Sequence, residues 1–212
     1  MVLVARLKAA LAGYSIELLI VDDGSKDKTL ERIRSLHSDD IRIFTHAKNR
    51  GKGAAIQTAI PHALGEVVVI QDSDLEYDPN DIPRLVQPIL DGTADVVFGS
   101  RFHQASPLVH RFWHRVANGL LTVFSNMLTN LNLSDMETCY KAMHRDVIRQ
   151  VTIHERRFGF EPELTAKIAK LKCRVYEIPI SYDPRSYAAG KNIGWRDALR
   201  ALWCIVRYRI AD

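Results

Sequence analysis

The sequence is poor in cysteine, and that scarcity excludes two architectures. Cys139, Cys173 and Cys204 are the three in 212 residues. Their number is odd and no C-x-x-C spacing occurs, so neither a disulfide framework nor a zinc site is indicated, and a reducing cytosolic side fits best. Long apolar runs are missing as well. No uncharged stretch approaches the ~18 to 20 residues that span a bilayer. The opening MVLVARLKAALAGYSIELLIVDD carries Arg6, Lys8 and Glu17 too early for a signal peptide. Any membrane contact is therefore expected to be peripheral. There is no repeat and no low-complexity tract, which argues against a solenoid and against disorder.

Several catalytic signatures are also lacking. Eight histidines show no H-E-x-x-H spacing, and no Ser, Cys or His triad is marked. The glycine-rich run Asn49-Arg50-Gly51-Lys52-Gly53 permits close backbone approach to phosphate but lacks the G-x-x-x-x-G-K-[ST] spacing, so an ATPase reading fails. Nucleic acid is not expected as a partner, because neither a helix-turn-helix nor an RNP-like aromatic strand accompanies the basic residues.

What is present is a 47% hydrophobic chain of the size of one α/β domain, with 29 Lys and Arg against 25 acids and a formal charge of +4. Arginine crowds after position 100, making that part a host for anions or an anionic membrane surface. The apolar run IELLIV at 16–21 reads as a strand, 28–36 as a helix, IRIF at 41–44 as a strand and 54–64 as a helix. VVVI at 67–70, a helix over 79–90 and ADVVFGS before Arg101 continue the alternation. After a basic, aromatic segment at 101–131 come a helix at 161–170, a strand at 173–180, a polar loop at 183–194 and a helix at 195–210. Alternating β and α predicts a mostly parallel, Rossmann-like sheet flanked by helices. The chain reads as a single domain, 1–212, with a soft division near Arg101 into halves 1–100 and 101–212.

The strongest chemical signal is Asp72-Ser73-Asp74 directly after VVVI. In extended backbone, residues i and i+2 project to one side, so Asp72 and Asp74, with Glu76 in the same parity, can grip one cation. Mg²⁺ or Mn²⁺ suits such a set and would neutralise charge on a departing diphosphate. The plain alternative is a solvated acidic loop capping the next helix. Context favours the metal, because VDDGS, NRGKG, QDSD and GSR all fall at the carboxyl ends of strands, where parallel sheets collect ligands. Asp22-Asp23 can hydrogen-bond a base or ribose, or serve as a cap before the turn at Gly24.

Together VDDGSKDKT, NRGKGAA, QDSDLEYDP, GSRF, DMETCYKAM at 135–143 and PRSYAAGK at 184–191 resemble family 2 glycosyltransferases of the dolichol-phosphate mannose synthase type. The resemblance implies a GT-A fold with C-terminal amphipathic helices. It also implies an inverting, metal-dependent transfer of a hexose, mannose or glucose, from a nucleotide-diphosphate sugar to a polyprenyl (dolichyl) phosphate. By that resemblance Asp22, Asp23 and Lys52 contact the donor, with Arg185 and Lys191 closing over it, and Asp72, Asp74 and Glu76 hold Mg²⁺ or Mn²⁺. Arg101, Arg115 and Lys141 hold the acceptor phosphate, and Asp74, Arg101 and Arg115 are the catalytic set. A phosphate acceptor is already anionic and needs little general-base help, so positioning and leaving-group stabilisation should dominate. A transferase with a soluble or saccharide acceptor, or an inactive shortened homologue that binds sugar nucleotide, are the alternatives.

A lipid acceptor implies peripheral attachment to the cytoplasmic face of a membrane. Helix 195–210 brings Arg196, Arg200 and Arg207 to one side, with Leu199, Leu202, Trp203, Ile205 and Val206 as the apolar counterpart. Segment 108–131 interleaves His110, Arg111, His114 and Arg115 with Phe112, Trp113, Val116, Leu120, Leu121 and Phe124. Relatives open with a strand ending in a Pro-x-Tyr-Asn-Glu type segment. This sequence has no such run before IELLIV, and residues 1–12 read as the helix that follows it. That strand lies inside the sheet, so its absence is expected to leave backbone groups unpaired beside the VDDGS strand.

Overall fold

The computed structural model describes residues 1–36, 38–102, 112–184 and 195–211, with the side chains of 195 and 196 left aside. Helix α1 (Val2–Ala10) comes first, in agreement with the sequence expectation. It buries Leu7, with Leu11 buried just after its end, and Arg6 and Lys8 pair with Asp78 and Asp40. Strand β1 (Leu18–Asp22), helix α2 (Thr29–Arg34) and strand β2 (Ile41–Thr45) then form a βαβ unit, the strands parallel with Leu18 opposite Ile41.

Helix α3 (Lys52–Ala59) tightens into a 3₁₀ turn, Ile60–His62, and leads to β3 (Val67–Val69). A second 3₁₀ turn, Pro79–Asp81, is capped by Asp78, whose carboxylate accepts the Asn80 N–H, and precedes α4 (Ile82–Leu90). Next come β4 (Val96–Ser100), α5 (Phe112–Thr129), β5 (Lys141–His144) and α6 (Arg145–Arg149). Helix α7 (Phe160–Lys170), β6 (Val175–Pro179) and α8 (Trp195–Ile210) complete the chain.

The strands form two sheets, β1–β2 and β3–β5–β4–β6. β1–β2 and β4–β6 pair in parallel, while β5 runs antiparallel to both β3 and β4. The α/β class holds, and β5 is the antiparallel insertion that the alternating pattern does not reveal. Since β4 bonds to β5 and β6, the two halves of the chain share one sheet. β1 and β3 lie in different sheets. Side chains link them: Glu17 Oε1 accepts the N–H groups of Leu64 and Gly65 at 2.5 and 2.8 Å, and Arg42 reaches the His62 carbonyl.

Val96, Val97 and Phe98 of β4 have no exposed surface, with Ala142 and Met143 of β5 beside them. Helix α4 presents Ile82, Leu85, Val86 and Ile89 to this sheet, a 3–4 spacing that puts all four on one stripe. Each such fully buried side chain contributes about 1.5–3 kcal/mol of transfer free energy, which fixes the strand ends that carry the polar clusters.

Candidate active site

At the end of β1 the two aspartates part company. Asp22 is buried and accepts the Ser25 N–H at 3.3 Å. Asp23 accepts from Arg50 N and from Gly51 N at 2.9 and 2.7 Å, and its Oδ1 lies 2.6 Å from His46 Nδ1. Burial would raise its pKa, but these bonds outweigh burial and hold it below the ordinary aspartate value. Asp23 thus clamps the 49–53 loop.

The same loop is pressed onto residues 155–157. A Cβ on Gly53 would stand 2.0 Å from the Glu155 carbonyl oxygen, and one on Gly51, whose φ is +95°, 2.2 Å from that of Arg156. The Gly53 N–H donates to Arg156 O at 3.0 Å. Only glycine allows this approach, and it sets Lys52 at the start of α3. There Lys52 Nζ reaches Asp72 Oδ2 at 3.1 Å and Glu161 Oε1 at 2.9 Å. Burial opposes the ammonium, yet Glu161 and then Asp72 hold its pKa well above the lysine norm, so it stays charged.

Around Asp74 the backbone turns back: the Glu76 N–H donates to Asp74 Oδ1 at 3.3 Å. Tyr182 OH donates to Glu76 Oε2 at 3.1 Å, and the Asp183 N–H to the Glu76 carbonyl at 2.8 Å. Among the described residues no three of His, Cys, Asp and Glu are set to hold a metal ion. A three-carboxylate cage is thus not preformed, and Glu76 is turned toward Tyr182. Asp72 and Asp74, hard oxygen donors at a strand end beside a fixed cation, still fit the one or two carboxylates by which Mg²⁺-like ions are held together with substrate phosphates. Arg185 and Lys191 lie outside the described residues.

Two of the three expected acceptor cations are engaged elsewhere. Arg101 Nε and Nη2 meet Asp135 at 2.6 and 2.8 Å in a bidentate pair, and Asn118 and the Arg101 N–H also donate to that carboxylate. Burial would raise the Asp135 pKa, but Arg101 holds it below the usual range. Lys141 has no exposed surface. It donates to the Thr138 carbonyl and lies 5.1 Å from the Phe98 ring centre, so it offers nothing to a phosphate from solvent. Arg115 is exposed on α5, 5.6 Å from the Phe102 ring centre.

Sequence reasoning missed Glu161 and Glu137. Glu161 lies in the first turn of α7 within FEPEL, whose acids suit a helix N-terminus, so their spacing signals a cap. Glu137 sits in the run before β5. Among the described residues Glu161 Oε2 and Glu137 Oε1 are buried and accept no hydrogen bond. Burial, followed by the charge of Glu161, pushes Glu137 up to about 8, and burial brings Lys141 down to about 8 with Glu161 opposing. Of the two acids, Glu161 is the one that pairs with Lys52.

The family model described as Glycosyl transferase family 2 matches residues 2–152. The chain belongs to glycosyl transferase family 2. Within the family it is similar to the dolichol-phosphate mannosyltransferase of Pyrococcus furiosus, 26% identical over 196 residues that cover 91% of this chain and 55% of that protein. It is likewise similar to the undecaprenyl-phosphate mannosyltransferase of Micrococcus luteus, 26% identical over 189 residues covering 84% of this chain and 76% of that one. The chain thus spans about half the length of the first of these. Among solved structures, glucosyl-3-phosphoglycerate synthase from Mycobacterium tuberculosis with UDP superposes with a TM-score of 0.67 at 18% identity, over 97% of this chain and 83% of that one. That likeness places this glycosyl transferase domain in the GT-A-like fold.

Proposed function

We propose that this glycosyl transferase family 2 domain moves a hexose, mannose or glucose, from a nucleotide-diphosphate sugar to a polyprenyl phosphate with inversion. The observation that carries the reading is Lys52, held charged between Asp72 of the Asp-Ser-Asp loop and Glu161 where the strand-end clusters meet. A fixed cation beside two carboxylates is the arrangement that a leaving diphosphate and its counter-ion need. The names of the curated relatives, which act on dolichol and undecaprenyl phosphates, support the acceptor.

Asp72 and Asp74 would hold Mg²⁺ or Mn²⁺, which supplies charge neutralisation at the diphosphate when bound. Lys52 adds its own positive charge without surrendering a proton. Asp23 keeps the 49–53 loop in place, and Asp22 is left to face the nucleoside. Arg115 would receive the acceptor phosphate, while Arg101, fixed by Asp135, shapes the wall behind it. The acceptor's phosphate oxygen attacks the anomeric carbon, and the bond to the donor phosphate breaks on the opposite side. A site serving a lipid acceptor would work at the cytoplasmic face of a membrane.

A second reading is favoured by the spare oxygen of Glu161, unpartnered among the described residues. A hydroxyl acceptor must lose a proton, and a buried carboxylate with an open lone pair is where that proton would go. Radiolabel transfer from GDP-mannose and UDP-glucose separates the two readings. Metal-dependent labelling of polyprenyl phosphate, lost in Asp74→Ala, supports the first; labelling of a soluble hydroxyl acceptor alone supports the second. No labelling by folded protein would leave sugar-nucleotide binding as the function.

A further inference from the structure

Helix α5 is built inside out. Its buried residues are Thr122, Ser125 and Thr129, and Asn118 on the same side donates to Asp135. At about 3.6 residues per turn these four fall within an arc of about 60°. The opposite side carries Trp113, Leu120, Val123 and Met127, exposed by 75, 68, 57 and 75%. A helix packed on a soluble core shows the reverse order. Thr129 returns its hydroxyl to the Ser125 carbonyl, and Thr122 accepts the Met136 N–H. The polar side therefore belongs to the fold, and among the described residues nothing covers the apolar side.

Helix α8 lies beside α5, both packed on α7, and Arg209 Nε ties it to the Leu128 carbonyl at 2.6 Å. Ala201, Cys204, Ile205 and Tyr208 face inward, so Ile205 belongs to the packed side and not to the apolar counterpart expected from sequence. Leu199, Leu202, Trp203, Val206 and Ile210 face out, within an arc of about 100°. Exposed Arg207 and Arg209 stand on either flank of that stripe. α5 has no acidic residue, and α8 has one, Asp197 in its first turn.

We infer that the outward faces of α5 and α8 form one docking surface that seats in the headgroup layer of a bilayer containing anionic lipid. This rests on the reading of a lipid-phosphate acceptor and deepens it. The rim decides the occupant. A second copy would bring arginines against arginines, and an uncharged apolar partner would make no use of them. A phosphate-bearing surface takes both parts: Trp113 and Trp203 suit the interface, aliphatic chains enter the acyl boundary, and the arginine stems extend to the phosphates. α5 also carries Arg115 and Asn118 beside the Arg101–Asp135 pair, so seating it would bring the acceptor end of the site to the lipid.

The test is co-sedimentation of the full chain with vesicles of phosphatidylcholine alone, or of phosphatidylcholine and phosphatidylglycerol in equal parts. The parent should partition onto the mixed vesicles and be released by salt. Met127→Glu with Val206→Glu should weaken partition by at least about tenfold, with circular dichroism and donor binding unchanged. Three results would overturn the inference: a parent that ignores both vesicles, binding that survives in the double variant, or a parent dimer in sedimentation that the same variant splits. Labelling of a short-chain, water-soluble polyprenyl phosphate separates this inference from the acceptor reading. A parent that labels it but ignores vesicles refutes the docking surface alone, and one that binds vesicles but labels no polyprenyl phosphate refutes the acceptor alone.

Discussion

Replacing Asp135 by alanine removes one side of an ion pair whose carboxylate has no exposure and whose guanidinium side chain has 17%. Four donors, the Arg101 backbone N–H, Nε and Nη2 and the Asn118 amide, converge on that one carboxylate. Losing it strands a buried guanidinium, and breaking such a pair from one side costs about 3–5 kcal/mol. For a domain of this size each kcal/mol lowers Tm by about 2–4 °C, so the expected loss is roughly 6–20 °C. Thermal unfolding followed by circular dichroism measures it, and Asp135→Leu with Arg101→Met should recover much of the difference by removing the stranded charge. A drop of less than about 1 kcal/mol would refute the reasoning, since exposed pairs are worth that little. So would a double variant no better than Asp135→Ala.

Gly53→Ala forces a methyl group against the Glu155 carbonyl; a loss of about 1–3 kcal/mol in urea unfolding is expected, with a larger fall in donor affinity because Lys52 moves with the loop. Glu155→Ala releases Arg200 and the Tyr208 hydroxyl, which the carboxylate holds at 2.5 and 3.1 Å, so hydrogen exchange in α8 should speed up while β4 stays protected. Glu137 titrates higher in the folded than in the unfolded chain. The folded state therefore binds more protons between about pH 4.5 and about pH 8, and stability must fall as pH rises through that window. Glu137→Gln should flatten this slope in a series of urea titrations, and an unchanged slope would remove Glu137 from the account.

Most strand ends were legible because they are short apolar runs bounded by turn residues, and 16–21, 41–44 and 67–70 each locate a strand to within two residues. β5 was not, because four residues beginning with a buried lysine carry no alternation. Local motifs pointed to loops at strand ends but carried no information on the direction of each side chain. Asp23 and Arg101 look like ligands in sequence, and their partners at Arg50, Gly51 and Asp135 become neighbours only through the fold. Glu161 was hidden for the opposite reason, because an acid in a first helical turn already has an ordinary explanation. The polar face of α5 reads as ordinary until burial shows which side is inward.

The division of the sheet has a consequence for how the molecule comes apart. Among the described residues β1 and β2 share backbone bonds only with each other and with adjoining loops, and a two-stranded unit is marginal by itself. The residues that would grip the nucleoside thus belong to a separate, weaker foldon, held to the larger block by α1, α3 and the carboxylate of Glu17. Amide protons of 18–22 and 41–45 should exchange through local opening while those of β4 wait for global unfolding. A bound donor, contacting both blocks, would join the two into one cooperative unit.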